Sequence, residues 1–203
     1  RAQSINEEAM LAVEPLVAPG VRGTELSGAF LRGIFELGAT ANTVDPIWQT
    51  MPARVADGPC SATGDVVFPT PTTNQPFAAG DVIWVDTGID YEGYASDFGC
   101  TFVVGGPEAR HHDQGARWRA IVDRVLDVLK PGATAGDLVR AATTDDGRRP
   151  WLPHLYLAHG IGTNSAEMPL VGTDLGDEFD DALVLAPDMV LVFEPIVWDD
   201  GSA

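Results

Sequence analysis

Two ten-residue segments of the chain repeat one another without a gap, 112 positions apart. They are VAPGVRGTEL at 17–26 and LKPGATAGDL at 129–138, and they share a Pro-Gly pair, an acidic residue and a leucine in the same places. Each follows one predicted helix and opens another, with its acid in the first turn, where a negative charge is favourable. The repeat predicts an α+β fold of duplicated helix–strand units related by pseudo-twofold symmetry, with a cleft where the halves meet. A Pro-Gly helix linker used twice would give the same pattern without duplication.

Apolar residues at helical spacing predict three helices. In the first, Ser4 stands as N-cap with Glu7 three positions later, the spacing of a capping box. Gly38 ends the second helix. The stretch 40–79 is rich in Pro, Thr, Gly and Asp, which predicts loops and short strands. The helices are placed at 4–17, 24–37 and 117–129, an apolar hairpin at 81–104, and two further strands at 155–162 and 189–197.

Composition limits the class of protein and its partners. With 203 residues, 45% of them hydrophobic, the chain can form one sizeable core, so we predict a single domain over 1–203. A net charge of −18 argues against nucleic acids and anionic membranes as partners, because both are bound through clustered Lys and Arg. No apolar run reaches the ~20 residues that span a bilayer, and no signal peptide is visible at Arg1. Since the first residue is not Met, an N-terminal domain or an export signal can precede it.

The cysteine content bears on the compartment. Cys60 and Cys100 are too few to form a disulfide framework, and they fit a reducing environment. A cytoplasmic location is therefore expected. The sequence is also compatible with a homodimer.

The most apolar part of the chain carries an acid in each of its two predicted strands, Asp86 and Asp97. A turn centred between Tyr91 and Glu92 would place the two acids directly opposite one another. A turn centred one residue later would make them diagonal neighbours, and either register keeps them on one face. Two buried like charges are strongly disfavoured, so a cation is expected between them, either an Arg or, more commonly, a hard divalent metal. The alternative is that the two acids are solvated turn residues, an interpretation that suits Asp90 and Glu92.

Two more candidates for a polar site lie downstream. His159 stands between glycines at the end of a predicted strand, where it could be a ligand or a satisfied core residue. Glu194 interrupts the apolar run MVLVFEPIV, with Pro195 after it to end the strand. Two Asp, one His and one Glu form a mixed oxygen and nitrogen donor set that suits Mn, Fe, Co or Zn, and that could hold two metal ions.

Three segments carry a resemblance to a known family. DTGIDYEGYASDFGCTF, HGIGTNSAEMP and PDMVLVFEP resemble, in order and spacing, the metal-site motifs of the pita-bread metallopeptidase family, which includes methionine aminopeptidase, aminopeptidase P, prolidase and creatinase. The resemblance covers essentially the whole chain and implies the pita-bread fold. It also implies a centre of two divalent ions whose ligands are Asp86, Asp97, His159 and Glu194.

The chain departs from the family pattern at several places. A substrate-side His is expected some 17 or 18 residues before Asp86, where Phe68 and Pro69 stand, and a second is expected at position 166, which is Ala. Cys100 occupies a place where the family often has Arg. A fifth ligand, a Glu in a last strand, should follow Glu194 by a few tens of residues, so the resemblance predicts that this strand is missing and leaves an open sheet edge.

The resemblance implies a metal-dependent hydrolase that acts on short peptides, as an aminopeptidase or an Xaa-Pro dipeptidase, with Glu194 relaying a proton. Because both substrate-side histidines are absent, a second hypothesis is an enzyme that acts on another small molecule. In that case His154 could supply an acid or base, although a surface or packing role is the more common one for such a histidine. A third hypothesis is a pseudoenzyme that keeps the fold for binding.

Overall fold

The computed structural model describes residues 1–51, 75–151, 156–197 and 199. They fall into two compact units: unit 1 contains 1–108 with 162–165 and 199, and unit 2 contains 109–161 with 166–197. Four residues named above lie outside the described ranges, and the hypotheses about them stay untested: Cys60, Phe68, Pro69 and His154.

Unit 1 opens with helix α1, Ala2–Val13, which continues as a 3-10 turn at Glu14–Leu16. The α-helix ends four residues before the predicted limit because Pro15 has no N–H to continue the ladder. Ser4 lies inside α1 and does not cap it, so the predicted capping box is wrong.

Helix α2, Gly23–Glu36, confirms the second predicted helix to within one residue at each end. Gly38 follows it with a positive φ of 97°, the left-handed backbone that ends many helices and that glycine adopts freely. Leu26, Phe30 and Ile34 place one face of α2 in the core of unit 1.

The sheet of unit 1 is built around one central strand, β2, which pairs antiparallel with β1 on one side and with β3 and β4 on the other. The ten-residue β1 corrects the prediction of loops and short strands over 40–79. Asp45 and Pro46 argue against a strand, but the register shifts between Val44 and Ile47, which takes the proline out of regular pairing. The strands are β1 (Ala41–Thr50), β2 (Val82–Tyr91), β3 (Tyr94–Ala95) and β4 (Phe98–Val103).

Unit 2 begins with α3, Ala109–Val128, eight residues earlier than predicted. Its core side is made by Ile121 and Val125, while most of its surface is charged or exposed. Across the described ranges, no helix combines the length and the apolar character that crossing a membrane requires.

The rest of unit 2 is a short α4, a three-stranded antiparallel sheet in the order β6–β5–β7, and a six-residue α5. Both strand-like runs predicted from sequence contain a strand, but each strand is only three residues long. The core of the unit includes Leu138 and Ala142 of α4 and Leu157, the residue that directly precedes β5. The elements are α4 (Ala135–Ala142), β5 (Ala158–Gly160), β6 (Glu167–Val171), α5 (Asp177–Ala182) and β7 (Leu191–Phe193).

The repeated Pro-Gly segments form the same local structure in each unit. Gly20 has φ 89° and donates its N–H to Phe77 O at 2.8 Å; Gly132 has φ 90° and donates to Leu185 O, also at 2.8 Å. In return, the amides of Phe77 and Leu185 donate to the residue after each glycine, again at 2.8 Å. The repeat is therefore structural as well as sequential, while a pseudo-twofold relation between the units stays a prediction.

The correspondence continues into the strands that follow, now with a spacing of 108 positions. The amide of Ala78 donates to Asp81 Oδ2 at 2.8 Å, and the amide of Ala186 donates to Met189 Sδ at 3.3 Å. Asp188 has a positive φ of 66°, as does its counterpart glycine at position 80, with 89°. By the same count, Asp86 in unit 1 and Glu194 in unit 2 occupy equivalent positions.

Candidate functional site

The hairpin of unit 1 places its two acids on one face as diagonal neighbours. Asp86 pairs with Gly99, and the same register continues to the tip, where Glu92 and Gly93 form the turn with φ of 54° and 86°. Two positive φ values are typical of the type I′ turn that matches strand twist. The turn centre thus lies one residue later than the register that would place Asp86 directly opposite Asp97. Both acids are partly buried.

The register puts Gly88 opposite Asp97, at a crowded point of the sheet. A Cβ at this position would lie 2.8 Å from Val44 Cγ2, 3.0 Å from Thr43 Oγ1 and 3.1 Å from Ser96 O. Only glycine leaves room for β1 and the returning chain to approach so closely.

Behind the acids, the opposite face of the hairpin carries a buried polar network that sequence reasoning missed. Asn6 of α1 donates from Nδ2 to Thr87 O at 3.1 Å and to Ser96 Oγ at 3.0 Å, and its Oδ1 accepts from Thr87 Oγ1 at 2.9 Å. All three side chains are buried. Thr87 follows Asp86 and Ser96 precedes Asp97, so the network lies immediately behind both carboxylates.

In unit 2, His159 lies fully buried in the central strand β5. Its Nδ1 is 2.9 Å from Gly160 O and its Nε2 is 3.1 Å from Glu194 Oε1. A carbonyl oxygen only accepts, so Nδ1 carries the ring hydrogen, and in the neutral ring Nε2 presents a lone pair to the carboxylate. Two acceptors at this distance need a proton or another cation to make the contact favourable.

Backbone crowding holds the histidine in place. A Cβ on Gly160 would collide with the carbonyl group of Met168 on β6, so β5 and β6 can approach this closely only with glycine here. The ring of Tyr156 lies on the imidazole with centroids 4.8 Å apart and planes tilted by 59°. His159 is thus fixed by its own strand, by β6 and by an aromatic neighbour.

Glu194 follows directly after β7. Its N–H donates to Leu157 O at 2.9 Å, which continues the pairing with β5 by one residue. The next residue, Pro195, ends the ladder as predicted, and its carbonyl accepts from Trp118 Nε1 of α3 at 2.9 Å. The sequence does not indicate this contact, because a tryptophan in an amphipathic helix is ordinarily a packing residue.

Two of the residues that depart from the family pattern lie in the described part of the chain, and they differ in burial. Cys100 lies half-buried in β4, and burial, with a smaller contribution from the charge of Glu14, raises the pKa of its thiol to about 12. It is therefore an uncharged packing residue and no substitute for an Arg. Ala166 is exposed and directly precedes β6.

The structure thus groups the predicted ligands in two pairs, Asp86 with Asp97 in unit 1, and His159 with Glu194 in unit 2. That the four residues form one set of metal ligands stays a prediction. His154 was the remaining candidate, and it lies outside the described residues.

Comparison with known proteins identifies the fold and the family. An Xaa-Pro dipeptidase from Lactobacillus delbrueckii subsp. lactis is 31% identical over 138 residues, which are 66% of this chain and 35% of the relative. A methionine aminopeptidase from Aquifex aeolicus (strain VF5) is 28% identical over 140 residues, 68% of this chain and 54% of the relative. The chain spans between about a third and about half of the length of these relatives.

Solved structures show the same fold. The prolidase from Pyrococcus furiosus superposes with a TM-score of 0.77 at 25% identity, covering 99% of this chain and 56% of the prolidase. The X-Pro aminopeptidase from Thermotoga maritima MSB8 gives 0.79 at 23% identity, covering 99% and 52%. The α+β pita-bread fold expected from sequence is confirmed. The model of metallopeptidase family M24 matches residues 1–203, and the chain belongs to that family.

Proposed function

We propose that this protein is a divalent-metal-dependent hydrolase that acts on short peptides, as an aminopeptidase or an Xaa-Pro dipeptidase. Membership of a metallopeptidase family supports the reaction class. The names of relatives, Xaa-Pro dipeptidase and methionine aminopeptidase, support the two substrate classes. Because the chain spans only part of those relatives, their activity is carried over here as a proposal.

One observation carries the metal-dependent part of the proposal: the contact between His159 Nε2 and Glu194 Oε1 at 3.1 Å, with Nδ1 engaged by Gly160 O. A carbonyl that orients a histidine through one ring nitrogen, leaving the other as a lone-pair donor, is the usual support of a metal-binding histidine. The nearby carboxylate supplies an oxygen donor and a compensating charge. These donors fit a divalent ion.

The acid pair of unit 1 adds two further oxygen donors on one face of the hairpin. We propose Asp86, Asp97, His159 and Glu194 as ligands of two divalent ions. Oxygen donors with a single imidazole suit Mn, Co, Fe or Zn, and the donor set does not favour one of these.

In the proposed mechanism, bound divalent ions would polarise the scissile carbonyl and increase the acidity of water. The carboxylate of Glu194 accepts a proton from the attacking water and returns it to the leaving amine. Glu194 follows β7, and the hydrogen bond from its main-chain N–H to Leu157 O holds it beside His159. The imidazole keeps its Nδ1 hydrogen on Gly160 O throughout, so it orients the site without exchanging a proton.

The first test is the metal content of the complete purified protein, measured by mass spectrometry with Asp97→Asn and Asp90→Asn variants alongside. Both substitutions remove one negative charge from the same hairpin, but Asp90 lies near the end of β2, where its Oδ1 accepts from Gly93 N of the turn. We expect about two ions per chain in the wild type and in Asp90→Asn. Asp97→Asn should lose metal and at least about 100-fold in activity. A wild type without metal after reconstitution with Mn²⁺ or Co²⁺ would overturn the proposal.

The second test concerns the substrate. Metal-loaded full-length protein is assayed on Xaa-Pro dipeptides and on short peptides that begin with Met, and turnover of either class is expected. Ala166, at the place of an expected histidine, favours the alternative of a non-peptidase enzyme on the same fold. Bound metal without turnover of any peptide would support that alternative, with His154→Ala as the next variant. Absence of both metal and turnover would support a binding module.

A further inference from the structure

We propose that Asn6 is a positioning residue for the metal site: from helix α1 it fixes the relative placement of Asp86 and Asp97 by binding both strands of the hairpin from behind. The inference rests on the proposed function and deepens it, since it concerns the same two carboxylates. Asn6 acts through Thr87 and Ser96, which neighbour the two acids in sequence.

The contacts are reciprocal and specific to an amide. Nδ2 donates to the main chain of one strand, at Thr87 O, and to the side chain of the other, at Ser96 Oγ. Oδ1 accepts from Thr87 Oγ1. The carbonyl of Thr87 only accepts, which fixes the orientation of the amide group. A residue with a donor alone or an acceptor alone could not make both kinds of contact.

Ser96 marks the point where the hairpin leaves regular pairing. Its N–H donates to Ile89 O at 2.8 Å, but the N–H of Ile89 donates to the Ser96 hydroxyl, at 3.2 Å. The side chain thus takes over a ladder bond, and β4 begins only at Phe98. Asp97 lies in this break, so regular strand pairing does not hold its backbone.

Asn6 therefore acts where the hairpin is least constrained. Asp86 belongs to a strand with pairing on both sides, whereas Asp97 depends on the Ser96 side chain and on what binds it. Burial of Asn6, Thr87 and Ser96 excludes water as a substitute partner in the native packing. Loss of the amide would let the backbone at Ser96 and Asp97 move relative to Asp86.

The test measures divalent-ion affinity, because a carboxylate pair that has lost its spacing binds metal more weakly. Mn²⁺ binding to full-length Asn6→Ala, followed by calorimetry, is expected to weaken by about 10–100-fold, the usual effect of losing an outer-shell partner. With Co²⁺, the visible absorption spectrum of the bound ion should also change in position or intensity, since it reports ligand geometry.

Ile5→Ala serves as the control for stability. Ile5 neighbours Asn6 on α1 and is equally buried, but it makes only apolar contacts in the core of unit 1. This variant should be destabilised while its Mn²⁺ affinity and Co²⁺ spectrum match those of the wild type. If Ile5→Ala and Asn6→Ala weaken metal binding equally, the role of Asn6 is structural only and the inference is wrong.

If Asn6→Ala does not fold, a second pair of variants tests the same inference. Thr87→Val removes the hydroxyl that donates to Asn6 Oδ1 and preserves the shape, while Thr87→Ser keeps the hydroxyl. We expect weaker Mn²⁺ binding in Thr87→Val and recovery in Thr87→Ser. Equal affinities in these two variants would contradict the inference while leaving the proposed function intact. A wild type that binds no metal would instead count against the proposed function.

Discussion

Unit 1 and unit 2 share a Pro-Gly turn and the strand after it, yet they surround the equivalent acids differently. In unit 1, β2 is paired on both sides, and Asp86 shares one face of the hairpin with a second acid, its diagonal neighbour Asp97. In unit 2, β7 pairs with β5, and the partner of Glu194 is a histidine from that strand. The repeated backbone therefore places an acid, and the neighbouring strand determines which second group it meets.

The difference also shows which parts of the repeat tolerate change. The hydrogen bonds at Gly20 and Gly132 have the same length and geometry, because both need a left-handed backbone that glycine adopts without strain. In the turns that follow Phe77 and Leu185, the acceptor is a carboxylate in unit 1, at Asp81, and a sulfur in unit 2, at Met189. A main-chain requirement is kept in both units, whereas the side-chain acceptor varies.

The largest effect is expected from Gly160→Ala in unit 2, compared with Gly99→Ala in unit 1. At Gly160 the new Cβ would collide with the backbone of Met168, whereas at Gly99 its nearest neighbour is Val85 O at an ordinary 3.5 Å. The first change should lower the free energy of unfolding in urea by about 3 kcal/mol, because two strands must separate. The second should change it by less than about 1 kcal/mol. Similar losses in the two variants would show that β5 and β6 are not tightly packed.

Hydrogen exchange tests the difference between the flanks of β2 and β7. The amides of Ile83 and Val85 face β4, while the equivalent amides of Leu191 and Phe193 point away from β5, towards no strand in the described part of the chain. Leu191 and Phe193 should exchange at least about tenfold faster. Equally slow exchange would mean that something covers this edge of β7.

The two helix starts differ by one side-chain cap. In both, a main-chain N–H donates at 2.9 Å to the acid three positions later, from Thr134 to Asp137 Oδ2 and from Arg22 to Glu25 Oε2. Thr134 adds a side-chain bond, because its Oγ1 accepts from Asp137 N at 3.1 Å. Thr134→Ala should lower the free energy of unfolding by about 1 kcal/mol, as loss of an N-cap usually does. Arg22→Ala keeps its main-chain bond and should have a smaller effect in the same denaturation measurement. An equal loss in Arg22→Ala would contradict this.

The smallest expected effect concerns a buried polar group in each unit and is a pH dependence of the free energy of unfolding. Asn6 in unit 1 is neutral, while Asp180 in unit 2 is buried with Oδ1 bonded to Gly172 N and no described partner for Oδ2. Burial raises the pKa of Asp180, so above the ordinary range near pH 4 the folded state binds more protons than the unfolded state. Its contribution to stability is therefore lost as pH rises.

Asp180→Asn removes this titration, so the variant should gain stability relative to the wild type between pH 4 and neutrality. Midpoints of urea unfolding at several pH values give the measurement. Asp123→Asn, at an exposed residue paired with Arg119, is the control and should show no such trend. A wild type and an Asp180→Asn variant with parallel pH profiles would contradict the expectation.

Local signals predicted much of the fold. The second helix, the hairpin and the acids on one face followed from apolar periodicity and two-residue alternation, because each depends on residues close in sequence. The wrong predictions concern places where a proline or a distant strand determines the local structure. Pro15 overrode a helical pattern, and β1 was missed because Pro46 lies at a register shift that only the paired strand makes possible.

The candidate site was predictable in its charged residues and not in its supports. Asp86, Asp97 and Glu194 attract notice because each interrupts an apolar run, and His159 because it lies between glycines. Asn6 and Trp118 carry no such signal, since an amide or an indole in an amphipathic helix is ordinary. Their roles arise from tertiary contacts with the hairpin and with Pro195.

The Asn6 contacts also bear on the order of folding. The Glu92–Gly93 turn closes the hairpin over a few residues, so its register can form locally and early. The contacts from Asn6 span 81 residues to Thr87 and 90 to Ser96, and contacts over such separations form late because long loops must close first. The two acids should therefore acquire their register early in folding and their final spacing only when the amino-terminal helix docks.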